Sequence, residues 1–80
     1  MKVFILTPEK TIYEGEAISM QIIGIDGSFQ LLDNHASMIS LLKKAYLHLQ
    51  LQQSIDHYFI FCIDNGVLEV KNNMVKILVN

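Results

Sequence analysis

The chain lacks arginine. All six of its basic residues are lysines, and its net charge is −2. Arginine supplies the planar guanidinium that pairs with a phosphate or a base edge through two hydrogen bonds at once. The one basic cluster is Lys43-Lys44. The composition therefore argues against a protein that binds nucleic acid.

Cysteine and long apolar runs are also scarce. Cys62 is the single thiol, and one cysteine cannot close an internal disulfide, which indicates a reducing compartment. No apolar run approaches the roughly 18–20 residues that span a bilayer. The short run near the N-terminus is not followed by the small-residue cleavage site of a signal peptide. We expect a protein that is made and kept in a cytosol-like compartment.

Charged residues are few, at 18%, whereas apolar residues make up 51% of the chain. This balance excludes disorder. A chain of 80 residues forms one domain, which buries roughly 60% of its unfolded surface. Apolar side chains are too many, on too many predicted strand faces, for so small a core. We therefore expect an exposed apolar face and a permanent partner.

Most of the chain alternates apolar and polar residues with the period of a β-strand. Residues 17–23, 45–52 and 66–79 show this alternation most clearly, and residues 2–7 and 11–14 are further strand candidates. Residues 57–63 are apolar on both faces, which is typical of a central strand covered on both sides or of a contact with a partner. In 17–23, Ile18, Met20 and Ile22 are predicted to share one face, with Ala17, Ser19 and Gln21 on the other. In 45–52 the pattern predicts Leu47, Leu49 and Leu51 inward and His48, Gln50 and Gln52 outward, and in the last segment it predicts Leu68, Val70, Val75, Ile77 and Val79 on one face.

Two short polar segments predict hairpin turns, Asp64-Asn65-Gly66 and Asn72-Asn73, because Asn and Gly adopt positive φ at little cost. The pattern as a whole predicts an all-β protein, a small antiparallel sandwich or barrel of seven to ten short strands. Residues 27–42 interrupt it. Asp33 could cap a helix over 34–44, or the segment could be strand, turn and strand; both interpretations are open at this point.

Catalytic chemistry has one candidate, a thiol hydrolase that uses Cys62 with Asp56-His57. The five-residue spacing places the thiol and the imidazole on opposite faces of a strand, roughly 16 Å apart. We therefore interpret Cys62 as a buried thiol that packs as a small hydrophobe. The three histidines, His35, His48 and His57, lack metal-ligand spacing, and no glycine-rich phosphate loop is present. His35, between two apolar runs, fits either a local turn or an exposed contact with a partner.

Three segments, in order, resemble the epsilon subunit of F-type ATP synthase. Residues 6–17, Leu-Thr-Pro-Glu-Lys-Thr-Ile-Tyr-Glu-Gly-Glu-Ala, are similar to its T-P-E-x-x-hydrophobic-aromatic-x-G opening. Residues 27–36 resemble its G-x-F-G-I-L-P-G-H-A-P-L block, and residues 66–79 resemble its G-G-x-L-E-V…N-x-V-x-V-L ending. The chain departs from the pattern mainly at turns: Gln30, Asp33-Asn34, Ser37, Lys44-Ala45 and Asp64-Asn65 replace glycine, proline or serine.

The resemblance implies a β-sandwich of about ten strands over residues 1–80, without the C-terminal helical hairpin that most of the family carries. It implies a non-catalytic rotor subunit of the central stalk, which links the gamma subunit to the c-ring and couples proton flow to ATP synthesis. The alpha and beta subunits would be indirect partners. The expected location is the cytoplasmic side of a bacterial inner membrane, peripheral and held there by the complex. We expect no cofactor, no metal and no ATP binding.

Site residues follow from the resemblance position by position. The c-ring-facing block corresponds to Ser28, Phe29, Gln30, Leu31, Asp33, Asn34 and His35. The gamma-facing positions correspond to Thr7, Ile12, Ile39 and Ile77. The alternative is a free-standing β-sandwich adaptor or ligand-binding module, which would be isolated without ATP synthase subunits.

Overall fold

Alternating apolar and polar side chains form strands throughout the part of the chain that the computed structural model describes, residues 1–25, 27–51 and 56–80. The strands are β1 Lys2–Leu6, β2 Thr11–Glu16, β3 Ser19–Gly24, β4 Gly27–Leu32, β5 Met38–Gln50, β6 Tyr58–Lys71 and β7 Met74–Val79. Among these described residues, no helix is long and apolar enough to cross a membrane.

The seven strands of the described ranges form one hydrogen-bonded sheet in the order β2-β1-β7-β6-β5-β3-β4. Neighbouring strands are antiparallel except β1 and β7, which are parallel. The sheet folds over so that its two ends share one core: inward side chains from β1 and β7 belong to the same buried cluster as those from β3 and β4. Tyr13 in β2 meets Phe59 in β6 across this core, with ring centroids 5.5 Å apart.

A change of inward face in the two long strands creates the two layers. In β5 the buried positions are even-numbered up to Leu42 and odd-numbered from Ala45, and Lys44 between them has a φ of 43°. In β6 the buried positions change from odd to even between Ile63 and Gly66. The two changes lie side by side, because the ladder pairs Lys43 with Asn65 and Ala45 with Ile63. Since side chains alternate strictly along a strand, only such a break lets both halves of one strand face the same core.

The predicted turn at Asp64-Asn65-Gly66 is therefore wrong. These residues continue β6, and neither Asn65 nor Gly66 has a positive φ. Gly66 is required for another reason: a Cβ there would lie 2.8 Å from the Leu78 carbonyl oxygen of the neighbouring strand. The predicted count of about ten strands was too high, because the described residues form seven. The breaks expected at 44–45 and 64–66 are bends inside long strands.

Other predictions of local structure are confirmed. Asn72 and Asn73, with φ of 54° and 57°, form the two-residue turn between β6 and β7, as a type I′ hairpin requires. The open question at residues 27–42 resolves as strand, turn and strand, because β4 ends at Leu32 and β5 begins at Met38. The all-β class is thus correct.

The core agrees with most of the predicted inward positions. Leu47, Leu49, Leu68 and Ile77 are fully buried, Val70 and Val75 nearly so, and Leu51 and Val79 pack against the cluster. Gln52 lies outside the described residues. Two predictions fail at the start of β3, where Ala17 is buried and Ile18 is exposed. The strand begins only at Ser19, and Ala17 is instead held by backbone hydrogen bonds to Met1.

Cys62 is also a correction, since its side chain is exposed. The change of face at 63–66 places it on the outer side of β6, opposite Tyr46 of β5. The apolar segment 57–63 is therefore not covered on both sides: Tyr58 and Ile60 point outward and are exposed.

Candidate functional site

The turn between β4 and β5 carries three polar residues, Asp33, Asn34 and His35, all exposed. Asn34 has a φ of 62°, a conformation that asparagine adopts more readily than most residues. His35 follows it and precedes β5, so the imidazole stands in the connection between β4 and β5. We refer to residues 33–35 as the polar turn.

Contacts from distant parts of the chain hold the polar turn. The Asn34 N–H donates to Asn73 Oδ1 at 2.8 Å, which joins it to the β6–β7 turn. The N-terminal ammonium donates to Asp33 Oδ1 at 2.6 Å and to the Ala17 carbonyl at 2.8 Å. His35 Nδ1 lies 2.8 Å from the Ala36 carbonyl oxygen. The turn is thus fixed in conformation while its outer side faces solvent.

The ammonium also sets the charge of the turn. Its hydrogen bond to Asp33, then its positive charge, and to a lesser degree a hydrogen bond from the Asn73 side chain lower the pKa of the Asp33 carboxyl below its usual value. Asp33 is therefore ionised at neutral pH, although the ammonium beside it compensates much of its charge.

The other residues expected in the c-ring-facing block lie on β4, where they alternate. Ser28 and Gln30 are exposed on the outer side, whereas Phe29 is half-buried against the core and Leu31 is fully buried. Burial of Leu31 leaves its side chain unable to touch another subunit, so we remove it from the proposed contacts. Leu32, which sequence reasoning missed, is 55% exposed beside Ser28 and Gln30; the strand period alone could have found it.

The expected gamma-facing residues lie near one outer side of the sandwich, with one exception. Ile12 of β2 and Ile39 of β5 are exposed at opposite edges of the same layer. Thr7, after β1, caps a tight turn, in which its Oγ1 accepts hydrogen bonds from the N–H groups of Glu9 and Lys10. Ile77 is fully buried, because it alternates inward with Val75, so we remove it as well.

This side of the sandwich is organised in stripes, and we call it the striped face. One row is apolar and runs across four adjacent strands as Leu6, Leu78, Val67 and Leu41. The next row mixes charged and apolar residues, in the order Glu14, Phe4, Lys76, Glu69 and Ile39. Leu41 is 76% exposed and Leu78 52%. An open groove of about 440 Å³ adjoins the apolar row, between Pro8, Leu41, Gly66 and Leu78.

Three cross-strand rows on the outer side of the other layer carry no lysine, aspartate or glutamate, and we call this region the uncharged face. Lys44 and Asp64 border it at the bend. Its cross-strand rows are Leu32, Ser19, Gln50 and Tyr58; then Gln30, Gln21, His48 and Ile60; then Ser28, Ile23, Tyr46 and Cys62. The His48 and Tyr58 rings meet edge to face, 5.0 Å between centroids. Depletion of charge with enrichment of aromatic residues is typical of the centre of a protein interface.

Hydrolytic chemistry has little geometric support. Cys62 lies well inside β6, and His57 lies before the strand begins, so extended backbone separates them by roughly 16 Å. Within the described ranges, no group of three or more His, Cys, Asp or Glu side chains could hold a metal ion.

Comparison with known proteins gives a consistent result. The family model described as "ATP synthase, Delta/Epsilon chain, beta-sandwich domain" matches residues 1–80. ATP synthase epsilon chains are similar to this chain: that of Chlorobium limicola is 34% identical, over 96% of this chain and 85% of the relative. Those of Sulfurimonas denitrificans, 36% identical over 99% of this chain, and Leptospira interrogans, 31% over 98%, are each matched over 59% of their own length.

A solved structure shares the fold. It is a chain of the cryo-EM structure of the Tetrahymena thermophila mitochondrial ATP synthase central stalk and c-ring, with a TM-score of 0.75 and 17% identity. The alignment covers 98% of this chain and 61% of that one. This chain thus spans about three fifths of the length of several proteins it resembles.

Proposed function

Because the chain belongs to the delta/epsilon chain family of ATP synthase, matched over residues 1–80, we propose that it is a non-catalytic subunit of the enzyme's rotor. It works in the central stalk, between the gamma subunit and the c-ring, and it transmits rotation between proton flow and ATP synthesis. It is peripheral to the membrane, on the cytoplasmic side, and is held there by the complex. The family match over residues 1–80 is the observation that carries the proposal.

The striped face is the proposed docking surface for the gamma subunit. Exposed Ile12 and Ile39 flank an apolar row that includes Leu41 and Leu78, and covering one such side chain contributes about 1.5–3 kcal/mol. The neighbouring charged positions, such as Lys76 beside Glu69, would fix the register of the partner, because a mismatched charge is penalised.

The polar turn and the adjoining edge of β4 form the proposed contact with the c-ring. This surface comprises Asp33, Asn34 and His35, with Ser28, Phe29 and Gln30 beside them on β4. Its exposed groups are small and polar, which suits a contact with the polar loops that such a ring presents to the cytoplasm. A polar contact of this kind provides specificity more than affinity.

Co-purification tests the proposal. The chain, with an affinity tag, is produced in its own host and isolated from detergent-solubilised membranes. We expect the gamma subunit, the catalytic subunits and the c-ring to be recovered with it. Recovery of the chain alone, or with unrelated proteins only, would support a free-standing adaptor instead.

A variant separates the rotor function from thiol chemistry. Cys62→Ala should leave ATP synthesis by the assembled enzyme unchanged, because a rotor subunit makes no use of a nucleophile. Loss of activity with an intact complex would contradict a purely mechanical function.

A further inference from the structure

Asn73 joins two parts of the chain that are 39 residues apart in sequence, because its Oδ1 accepts the Asn34 N–H at 2.8 Å. A backbone N–H can only donate, so the amide oxygen must face Asn34. The side-chain nitrogen then faces away from Asn34 and can donate to Asp33, and a hydrogen bond from the Asn73 side chain is the smallest cause that lowers the pKa of the Asp33 carboxyl. Asn73 thus ties the β6–β7 turn to the polar turn.

The position of Asn73 in its own hairpin does not require this side chain. With a φ of 57°, the site would accept glycine at least as well as asparagine. Its neighbour Asn72 has a similar φ of 54°, and among the described residues the structure gives Asn72 no side-chain hydrogen bond. The bridge to the polar turn is therefore a property of Asn73 beyond the formation of the turn.

His35 has a defined arrangement of hydrogen-bonding atoms. Its Nδ1 lies 2.8 Å from the Ala36 carbonyl oxygen, and a carbonyl oxygen can only accept. In the neutral imidazole the proton must therefore be on Nδ1, which leaves a lone pair on Nε2. Because the side chain is exposed, Nε2 is available to another molecule as a hydrogen-bond acceptor.

We propose that Asn73 is a positioning residue for the polar turn, and that the turn presents His35 Nε2 as an acceptor for an N–H donor of the partner. Arginine, lysine, asparagine or glutamine side chains and backbone N–H groups are the chemical class that fits. The identity of the partner as the c-ring rests on the proposed function. Because the turn is already fixed, binding a partner costs less conformational entropy.

A pair of variants tests the direction of the hydrogen bond. His35→Glu places only acceptors at this position, and His35→Lys places only donors. Binding of each full chain, with the gamma subunit, to the purified c-ring in detergent is measured. We expect the Lys variant to lose about tenfold or more in affinity and the Glu variant to retain most of it. Equal or tighter binding by the Lys variant would overturn the acceptor assignment.

A second pair tests the positioning by Asn73. Asn73→Gly keeps the backbone conformation and removes the bridge, and Asn72→Gly is the matched control in the same turn. In Asn73→Gly only, we expect amide hydrogen exchange at Asn34 to become about tenfold faster and the affinity for the c-ring to fall several-fold. The unfolding midpoints of the two variants should be the same. The same exchange rate and affinity in both variants would refute a positioning function.

Nitrogen NMR of the His35 ring gives a third measurement, made on the full chain alone. We expect the proton to be on Nδ1 in the wild type. A proton mainly on Nε2 would contradict the proposal. If the wild type does not bind the c-ring at all, the proposed function fails, while the exchange and NMR results still decide whether Asn73 and Ala36 order this turn.

Discussion

The two outer faces of this sandwich cover the same core yet differ in chemistry. The striped face interleaves an apolar row with lysines and glutamates, among which Lys2 Nζ and Glu14 Oε2 are 3.6 Å apart. The uncharged face places three rows of polar, aliphatic and aromatic side chains side by side. Charged rows discriminate between partners and keep an unassembled chain soluble. An uncharged surface costs less free energy to desolvate, but it discriminates less between partners.

The two faces would select a partner in different ways. On the striped face, a partner must match both the apolar row and the charges at its sides. On the uncharged face, affinity comes mainly from covered area, so a partner there has freedom of register. The proposed docking of the gamma subunit, a contact that would have to transmit torque without slipping, therefore fits the striped face better.

The largest expected effect comes from truncating buried leucines in the core that both faces share. Leu47→Ala, beneath the uncharged face, and Leu68→Ala, beneath the striped face, each empty a fully buried site. We expect each to lower the free energy of unfolding by about 2–5 kcal/mol, measured by urea denaturation. Both should give a single transition, since β5 and β6 run through both layers. Two separate transitions would show that the layers unfold independently.

The next effect distinguishes the faces by their partner. Leu41→Lys adds a charge to the apolar row of the striped face, and Ile60→Lys adds one to the uncharged face as a matched control. We expect Leu41→Lys to weaken binding to the isolated gamma subunit by about 1.5–3 kcal/mol, measured by calorimetry, and Ile60→Lys to change it little. The opposite ranking would move the docking surface to the uncharged face.

A third change acts at the bend that separates the faces. Gly66→Ala places a Cβ about 2.8 Å from the Leu78 carbonyl oxygen, so β6 and β7 must move apart. We expect a loss of about 1–3 kcal/mol in unfolding free energy by thermal or urea denaturation. Gly27→Ala, where a Cβ meets no atom but φ is 125°, is a control for backbone strain alone. An unchanged stability of Gly66→Ala would mean that β6 and β7 accommodate the added Cβ without moving apart.

The smallest effect concerns the polar turn at the end of the sandwich. The pKa of Asp33 is lowered in the folded chain, chiefly by its hydrogen bond to the N-terminal ammonium. A lowered pKa means that the ionised carboxylate stabilises the fold above its usual pKa, near 3.8, and that this contribution is lost as pH falls through the lowered value. Asp33→Asn should therefore be less stable than the wild type at pH 7.

The stability difference between Asp33→Asn and the wild type should shrink as pH falls below the usual carboxyl pKa, near 3.8. Added salt should also shrink it, because the carboxylate is exposed. Urea midpoints at neutral pH and at a series of acidic pH values give the measurement. A difference that stays constant with pH would show that the ion pair does not contribute.

Local patterns were sufficient for much of this fold. Strict alternation placed Leu47, Leu49 and Ile77 in the core, and Asn72-Asn73 marked a real turn. Each of these signals depends on neighbouring residues only, either on the strand period or on a cheap positive φ. Alternation along β4 also predicts that Leu31 points inward and Leu32 outward, as observed. The resemblance, taken residue by residue, had grouped Leu31 with the contact residues.

The polar turn was recognisable from sequence as an exposed Asp-Asn-His segment, but its partners were not. The ammonium and Asn73 reach it from parts of the chain that are 32 and 39 residues away from their partners in the turn. No local pattern encodes such contacts, because they depend on which strands the sheet brings together at one end.

By itself, then, the sequence determined the all-β class, most inward positions, the Asn72-Asn73 hairpin and the resemblance that suggests the function. The tertiary structure decided that Lys44 and the residues near Asp64 are adjacent bends and not turns, that Cys62 is exposed, and that Asn73 holds Asn34. The physical reason is the same in each case. Strand period and turn preference are properties of a few consecutive residues, whereas the face that a strand presents after a bend depends on the strand paired beside it.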